Sequence, residues 1–239
     1  IPGTGSTEHL RGGLILAILL GPYAEFLTMA SILTIQALFF ADGGLLALGS
    51  NIFNLGFFTC FLAYPLIYKK IVGKEFSAKR IIIASMVTAI IGLQLGAFGV
   101  VLETVFSGKT ELPFRAFVLL MQPIHLAIGI VEGLVTAAVV SFVWKARPEI
   151  MEKAALNQAL GTLSIKKVMI GLAAAALFTG AVLSWFASSH PDGLEWSMFK
   201  TSGKEELESS DSTHEKLTAL QEKTAFLPDY GFKASESAE

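Results

Sequence analysis

The amino-acid sequence predicts an all-α, polytopic transmembrane bundle of about six helical segments, followed by an acidic tail outside the membrane. Three observations point that way. The 239 residues are 53% hydrophobic and only 16% charged, with a mean hydropathy of +0.60, too apolar for a soluble domain of this length. The apolar residues come in long blocks, such as Ile81 to Phe106 and Phe117 to Trp144, where a soluble helix would break its stripe with charge every few residues. Charge is also uneven: residues 1–187 hold 13 Lys and Arg against 9 Asp and Glu, while residues 188–239 hold 5 against 11. A mildly basic membrane body with an acidic tail makes no nucleic-acid partner. Disordered, collagenous, coiled-coil and disulfide-framework classes are excluded by the same composition. The single cysteine, Cys60, lies in an apolar block and reads as a small packing residue. The chain opens at Ile1 with no initiator Met and no cleavable signal peptide, so a longer parent chain is expected.

Taken in order, the first forty residues need the most argument. Leu10 to Phe40 is 31 residues, which as one helix at about 1.5 Å per residue would run to about 46 Å and overshoot a hydrocarbon core of about 30 Å. Gly21-Pro22 stands inside it, and proline removes a helix hydrogen bond while clashing with the preceding turn. Two elements are therefore predicted, one ending near Leu20 and one from about Tyr23 to Phe40. Spans of membrane-crossing length follow at residues 45–67, 81–106, 114–144 and 168–187.

Positive charge in short connections sets the orientation. Lys69, Lys70, Lys74, Lys79 and Arg80 crowd one connection, and Lys145, Arg147, Lys153, Lys166 and Lys167 crowd another, so both belong in the cytoplasm. The intervening connection, with only Lys109, Glu111 and Arg115, suits the outside. Alternation then carries the acidic tail outside, and the two-element reading of residues 10–40 places His9 outside as well. The basic clusters suit anionic membrane lipid or a cytoplasmic partner.

Intramembrane polar residues mark either a pathway or a packed polar contact. Here they are Gln36, Asp42, Asn51, Asn54, Gln94, Glu103, Gln122, His125 and Glu132. His125 and Glu132 stand two helical turns apart, on one face, with Gly129 clearing space between them. That face is a cation route or a polar seam between helices. Asp42-Gly43-Gly44 is a turn first, and Asn51 and Asn54 sit three apart on the next helix. His9 lies in a small, polar loop, Pro2 to Gly13, just before an apolar helix. Neutral imidazole is a ligand for nickel, cobalt, copper or zinc, yet a lone histidine also reads as a surface or capping residue, and no HxxxH, CxxC or carboxylate pair with metal spacing accompanies it. His190 and His214 read as solvated. No phosphate-cradling GxxxxGK[ST] loop and no Gly-x-Ser-x-Gly elbow is present.

The stretches PGTGSTEHLRGGLILAILLGP, LTIQALFFADGGLLALGSNIFNLGF and HLAIGIVEGLVTA resemble the substrate-capture membrane subunits of the cobalt/nickel branch of the energy-coupling-factor (ECF) transporters, over about residues 1–146. SSHPDGLEWSMF, with AFLPDYGF beyond it, is similar to the auxiliary subunit that carries a Pro-Asp-Gly-Leu-Glu signature, here Pro191 to Glu195. The resemblance implies a metal-capture domain over 1–146, a cytoplasmic linker over 147–167 and an auxiliary-subunit-like segment over 168–239. It implies that Ni²⁺ or Co²⁺ is the transported substrate, with no organic cofactor, and that the signature segment tilts the choice toward nickel. Family members bind the ion with an N-terminal Met-His pair and a histidine in the loop matching the one that holds His9; that pair is absent from this sequence. Ser6, Thr7, Asp42, Asn51, Asn54, His125 and Glu132 would form the surroundings or the pathway. The chain itself would be no enzyme: ATP hydrolysis is expected in separate cytoplasmic ATPase subunits, acting through a coupling transmembrane subunit in the plasma membrane of a prokaryote. Gly12, Gly13 and Ala17 on the short first helix would permit close contact with that coupling partner. The acidic tail would gather cations or act as a solvated spacer. Two rivals stand beside this reading: an ion-coupled secondary transporter of a divalent cation with His125 and Glu132 as proton relay, and an intramembrane enzyme, for which no nucleophile is in place.

Overall fold

The computed structural model describes residues 12–73, 76–108, 113–156, 158, 165–182, 193–203 and 212–228. Among them every regular element is helical. The break foreseen at Gly21-Pro22 is present: α1 covers Gly13–Leu20, Gly21 takes φ +87°, and Pro22 opens α2, Pro22–Phe40, at the first helical position, where its missing N–H costs nothing. α2 widens over Gln36–Phe40 into i→i+5 turns and is stopped by Ala41 at φ +54°, whose N–H closes onto the Gln36 carbonyl. α3 runs Leu48–Val72, with the same wide turns from Phe53 to Tyr68 around Pro65. α4, Ala78–Phe106, is capped by the Ser77 hydroxyl, which accepts from the Arg80 N–H at 3.3 Å. α5 covers Phe114–Ala146 and α6 covers Pro148–Ala155.

Four of these helices, α2 to α5, are long and apolar enough to cross a membrane. Their exposed surface is set with large apolar side chains, among them Leu27, Leu66, Leu119 and Leu134, as expected where the surrounding solvent is lipid. The chain is a multi-pass membrane protein. Of the span foreseen at 168–187, the structure describes α7, Lys166–Ala181, whose 16 residues make about 24 Å of helix; residues 183–192 lie outside the described set.

Small residues set the packing. On α5, a Cβ at Gly129 would meet the Ile90 Cα at 2.9 Å, and one at Gly133 the Met86 Cα at 2.9 Å, so α4 and α5 touch backbone to backbone. Gly96 of α4 does the same against the Asn54 backbone of α3, while Gly99 makes room for the Asn54 and Phe58 side chains. The first helix departs from expectation. Gly13 faces the Glu25 carboxylate and the Met29 methyl of α2, and Ala17 is fully buried. These positions serve packing inside the chain and are not a free face for a coupling partner, because α1 folds back beside α2 and α3 instead of standing at the edge.

The tail also differs from a solvated spacer. α8, Gly193–Ser202, lays Leu194 and Met198 against the cluster of Ala97, Val101, Phe117 and Met121, and Trp196 against Leu93, Ile124 and Ile128. α9, Ser212–Thr224, meets the far end of α2, where Phe226 lies against Phe39 and Phe40 at ring separations of 5.5 and 6.3 Å. An average over the acidic composition conceals these apolar contacts.

Candidate functional site

Ser6, Thr7 and His9 lie outside the described residues, so the site is built from the body that receives them. It holds a small cavity at mid-bundle, lined by Gly13, Asn54, Thr59, Gly92, Gly96 and Glu132 among others, with about 10 Å³ open to the centre of a water-sized sphere. That is about the room one water needs. Gly92 stands halfway along α4, and α1 starts here, at Gly13, before running toward the end that carries the Lys- and Arg-rich connections. The first helix is thus a half-span whose N-terminus lies inside the bundle.

Around this cavity the polar side chains sort into separate groups. Asn54 donates to a Glu103 carboxylate oxygen at 2.8 Å, and Ser50 donates to the same oxygen, joining α3 to α4. Glu103 is held by two donors from the neighbouring helix, an arrangement that lowers the cost of carrying a carboxylate there. Asn54 is 2% exposed and its Oδ1 has no hydrogen-bond partner. Asn51, three residues earlier, packs its Nδ2 against Gly43, so the two asparagines serve different neighbours. The reason is local: the helix widens to i→i+5 turns at Phe53, which changes the angle that three residues subtend. Asp42 accepts from Gln36 at 3.4 Å and stays with its own turn.

His125 and Glu132 are both buried on the inner face of α5, as their spacing requires. Glu132 lines the cavity, and the His125 Nδ1 makes a 2.8 Å hydrogen bond with the Met121 carbonyl of its own helix. Gln94 and Gln122 clasp reciprocally, each donating to the other's backbone carbonyl at 2.8 and 3.4 Å, so this pair is a seam between α4 and α5. Among the described residues no three His, Cys, Asp or Glu side chains gather as a metal-ligand group. The body therefore offers a polar lining rather than a ligand set.

Two residues escaped the sequence reading. Glu25 is fully buried with neither carboxylate oxygen hydrogen-bonded, beside Gly13. Its signal was plain, a lone acid one turn into an apolar helix. Gln221, 178 residues from its partner in sequence, donates from one amide nitrogen to the Gly43 carbonyl at 2.7 Å and to the Ala37 carbonyl at 3.0 Å, while Leu227 N–H donates to the Phe39 carbonyl at 3.2 Å. Nothing local could have announced it. The tail thereby holds the turn that contains Asp42. Gln221→Ala is expected to loosen this hold by about 1–3 kcal/mol, two hydrogen bonds' worth. Hydrogen exchange of residues 37–44 would then rise with that of 212–224; exchange unchanged in both would show that the contact carries no weight.

Residues 1–150 match the family model described as the cobalt uptake substrate-specific transmembrane region, and residues 166–239 match the PDGLE domain. A relative from Archaeoglobus fulgidus, named for fused nickel transport, is 38% identical over 181 residues, covering 76% of this chain and 58% of its own length. A fused nickel transport protein of Rhodobacter capsulatus is 31% identical, with 63% of this chain and 47% of its own length covered. A cobalt transport protein of Sorangium cellulosum is 29% identical, covering 64% and 68%. A crystal structure titled as a transition metal transporter matches with a TM-score of 0.53 at 30% identity, over 64% of this chain and 72% of that one. The chain thus spans a little over half the length of its fused nickel relative from Archaeoglobus fulgidus.

Proposed function

Because this chain belongs to the cobalt uptake substrate-specific transmembrane family, we propose that it captures Ni²⁺ or Co²⁺ at the outer membrane face and delivers it for ATP-driven import. The observation that carries this reading is the half-span. α1 begins at mid-bundle beside Asn54, Thr59 and Glu132. Only three residues of chain separate His9 from Gly13, a tether of at most about 14 Å when fully extended. That length of chain reaches from His9 to a part of the body where polar groups line a cavity.

In this reading the His9 imidazole, together with an N-terminal amine and imidazole of the kind the family uses, forms an all-nitrogen set suited to nickel or cobalt. Asn54, Ser50 and Glu103 brace the wall behind that set, and the Asp42 turn, held by Gln221, closes the outer rim. Ser6 and Thr7 complete the loop. Residues 1–146 are the capture domain, 147–167 the cytoplasmic linker that includes α6, and 168–239 the auxiliary segment, with its tail outside the plasma membrane of a prokaryote. The chain performs no catalysis; a coupling transmembrane subunit and cytoplasmic ATPase subunits supply the work. The names of two relatives, both printed as fused nickel transport proteins, favour nickel.

Calorimetric titration of the purified full-length native protein is the direct test. The expected result is one tightly bound nickel or cobalt ion per chain, with magnesium and calcium failing to compete, since hard cations seek oxygen ligands. Equal affinity for magnesium would refute nitrogen ligation.

A further inference from the structure

At the end of the bundle that carries the Lys- and Arg-rich connections, α1, α3 and α6 leave a cavity of about 620 Å³ between them. That volume falls within the range of small-molecule sites. Its walls are apolar, formed by Ile18, Val72, Phe76, Met151 and Leu156. Its rim is charged. Lys69 lines it, with its ammonium 5.2 Å from the centre of the Tyr64 ring, and Arg80 stands beside the lining residue Gly73 and donates to the Val72 carbonyl at 3.4 Å. Among the described lining residues Glu152 is the one acid.

An apolar interior with Lys69 on its rim and Arg80 beside it suits one kind of ligand, a molecule with an acidic head and an apolar tail. The depth agrees: Lys69 and Lys70 end the apolar run of α3, at the level where head groups meet hydrocarbon. We infer that this cavity binds an anionic phospholipid, one acyl chain filling the space beside Met151 and Ile18. Lys69 and Arg80 hold the phosphate. The lipid then fills the gap between the half-span and the cytoplasmic helix α6, and so ties the linker to the membrane body. This site is separate from the proposed metal site and uses none of its residues.

The test reconstitutes the full-length native protein, in a metal-free buffer, in phosphatidylcholine vesicles holding a minority of phosphatidylglycerol with a photoreactive diazirine at the end of one acyl chain. Labelling is expected on peptides spanning residues 64–73 and 148–156, competed by unlabelled phosphatidylglycerol and not by phosphatidylcholine. Lys69→Gln and Arg80→Gln should each reduce it about fivefold, the loss expected for one cation at an anionic surface. Ala155→Trp, at an exposed lining position, should fill the cavity and abolish labelling while the thermal unfolding midpoint of the protein holds. Labelling unchanged in Ala155→Trp would overturn the site, and equal labelling by a phosphatidylcholine probe would overturn its charge preference. Absence of labelling in the unsubstituted protein, the outcome if a protein segment occupies the cavity, would also overturn it. Because no metal is present, none of these outcomes depends on the metal reading.

Discussion

Replacing His9 with alanine in the full-length native protein is expected to lower nickel and cobalt affinity by about 100-fold or more, because loss of groups that merely orient a ligand already costs about 10–100-fold. The described body carries no group of three metal-ligating side chains to compensate. Nickel accumulation by cells should fall in step, and protein level and thermal stability should not, since the polar braces Ser50, Asn54 and Glu103 are made without His9. Equilibrium dialysis with buffered nickel reads the affinity. Asn54→Leu gives the contrast: it removes a donor to Glu103 and costs stability together with affinity. If His9→Ala bound nickel as tightly as the unsubstituted protein, the ligand assignment would be wrong.

Gly96→Ala is expected to be the most damaging single-methyl change in the described core. Its Cβ would stand 2.6 Å from the Asn54 backbone carbonyl oxygen, and backbone cannot swing aside as a side-chain tip can. α3 and α4 must separate, at a cost of about 3 kcal/mol, the upper part of the overpacking range. For a chain of this size that lowers the unfolding midpoint by about 5–10 °C. Separation also pulls Ser50 and Asn54 from Glu103, so metal affinity should fall with stability. Gly49→Ala is the control, since its added methyl meets nothing within 4 Å. There the gain in helix propensity should leave the midpoint unchanged or slightly raised. Equal midpoints for the two variants would mean that the close crossing of α3 and α4 does not limit stability.

What could be read in advance follows from the reach of each signal. The Gly21-Pro22 break was legible because proline chemistry is local, and the long spans were legible because apolar length is a direct count. The left-handed stop at Ala41 and the wide turns of α3 were not, because the residues there have no special preference for either. Tertiary packing selects them. Glu103 and Asn54 were both recognised as costly intramembrane polar residues, but their pairing across 49 positions was not visible without the packing of α3 on α4. The tail was misjudged in part because eleven acidic residues dominate its composition, while Leu194, Trp196, Met198 and Phe226 determine where it packs. Gly13 and Ala17 were recognised as small for a reason, though the reason is the fold of α1 against α2 rather than a partner.

The central claim, capture for ATP-driven uptake, is tested most directly by nickel accumulation in cells that make the full-length native protein together with its coupling and ATPase subunits. The account predicts that accumulation stops when the ATPase is inactivated and persists when an ionophore collapses the membrane ion gradients while ATP is maintained. Accumulation that survives loss of the ATPase and collapses with the ionophore would contradict it, and would assign transport to an ion-coupled relay through His125 and Glu132.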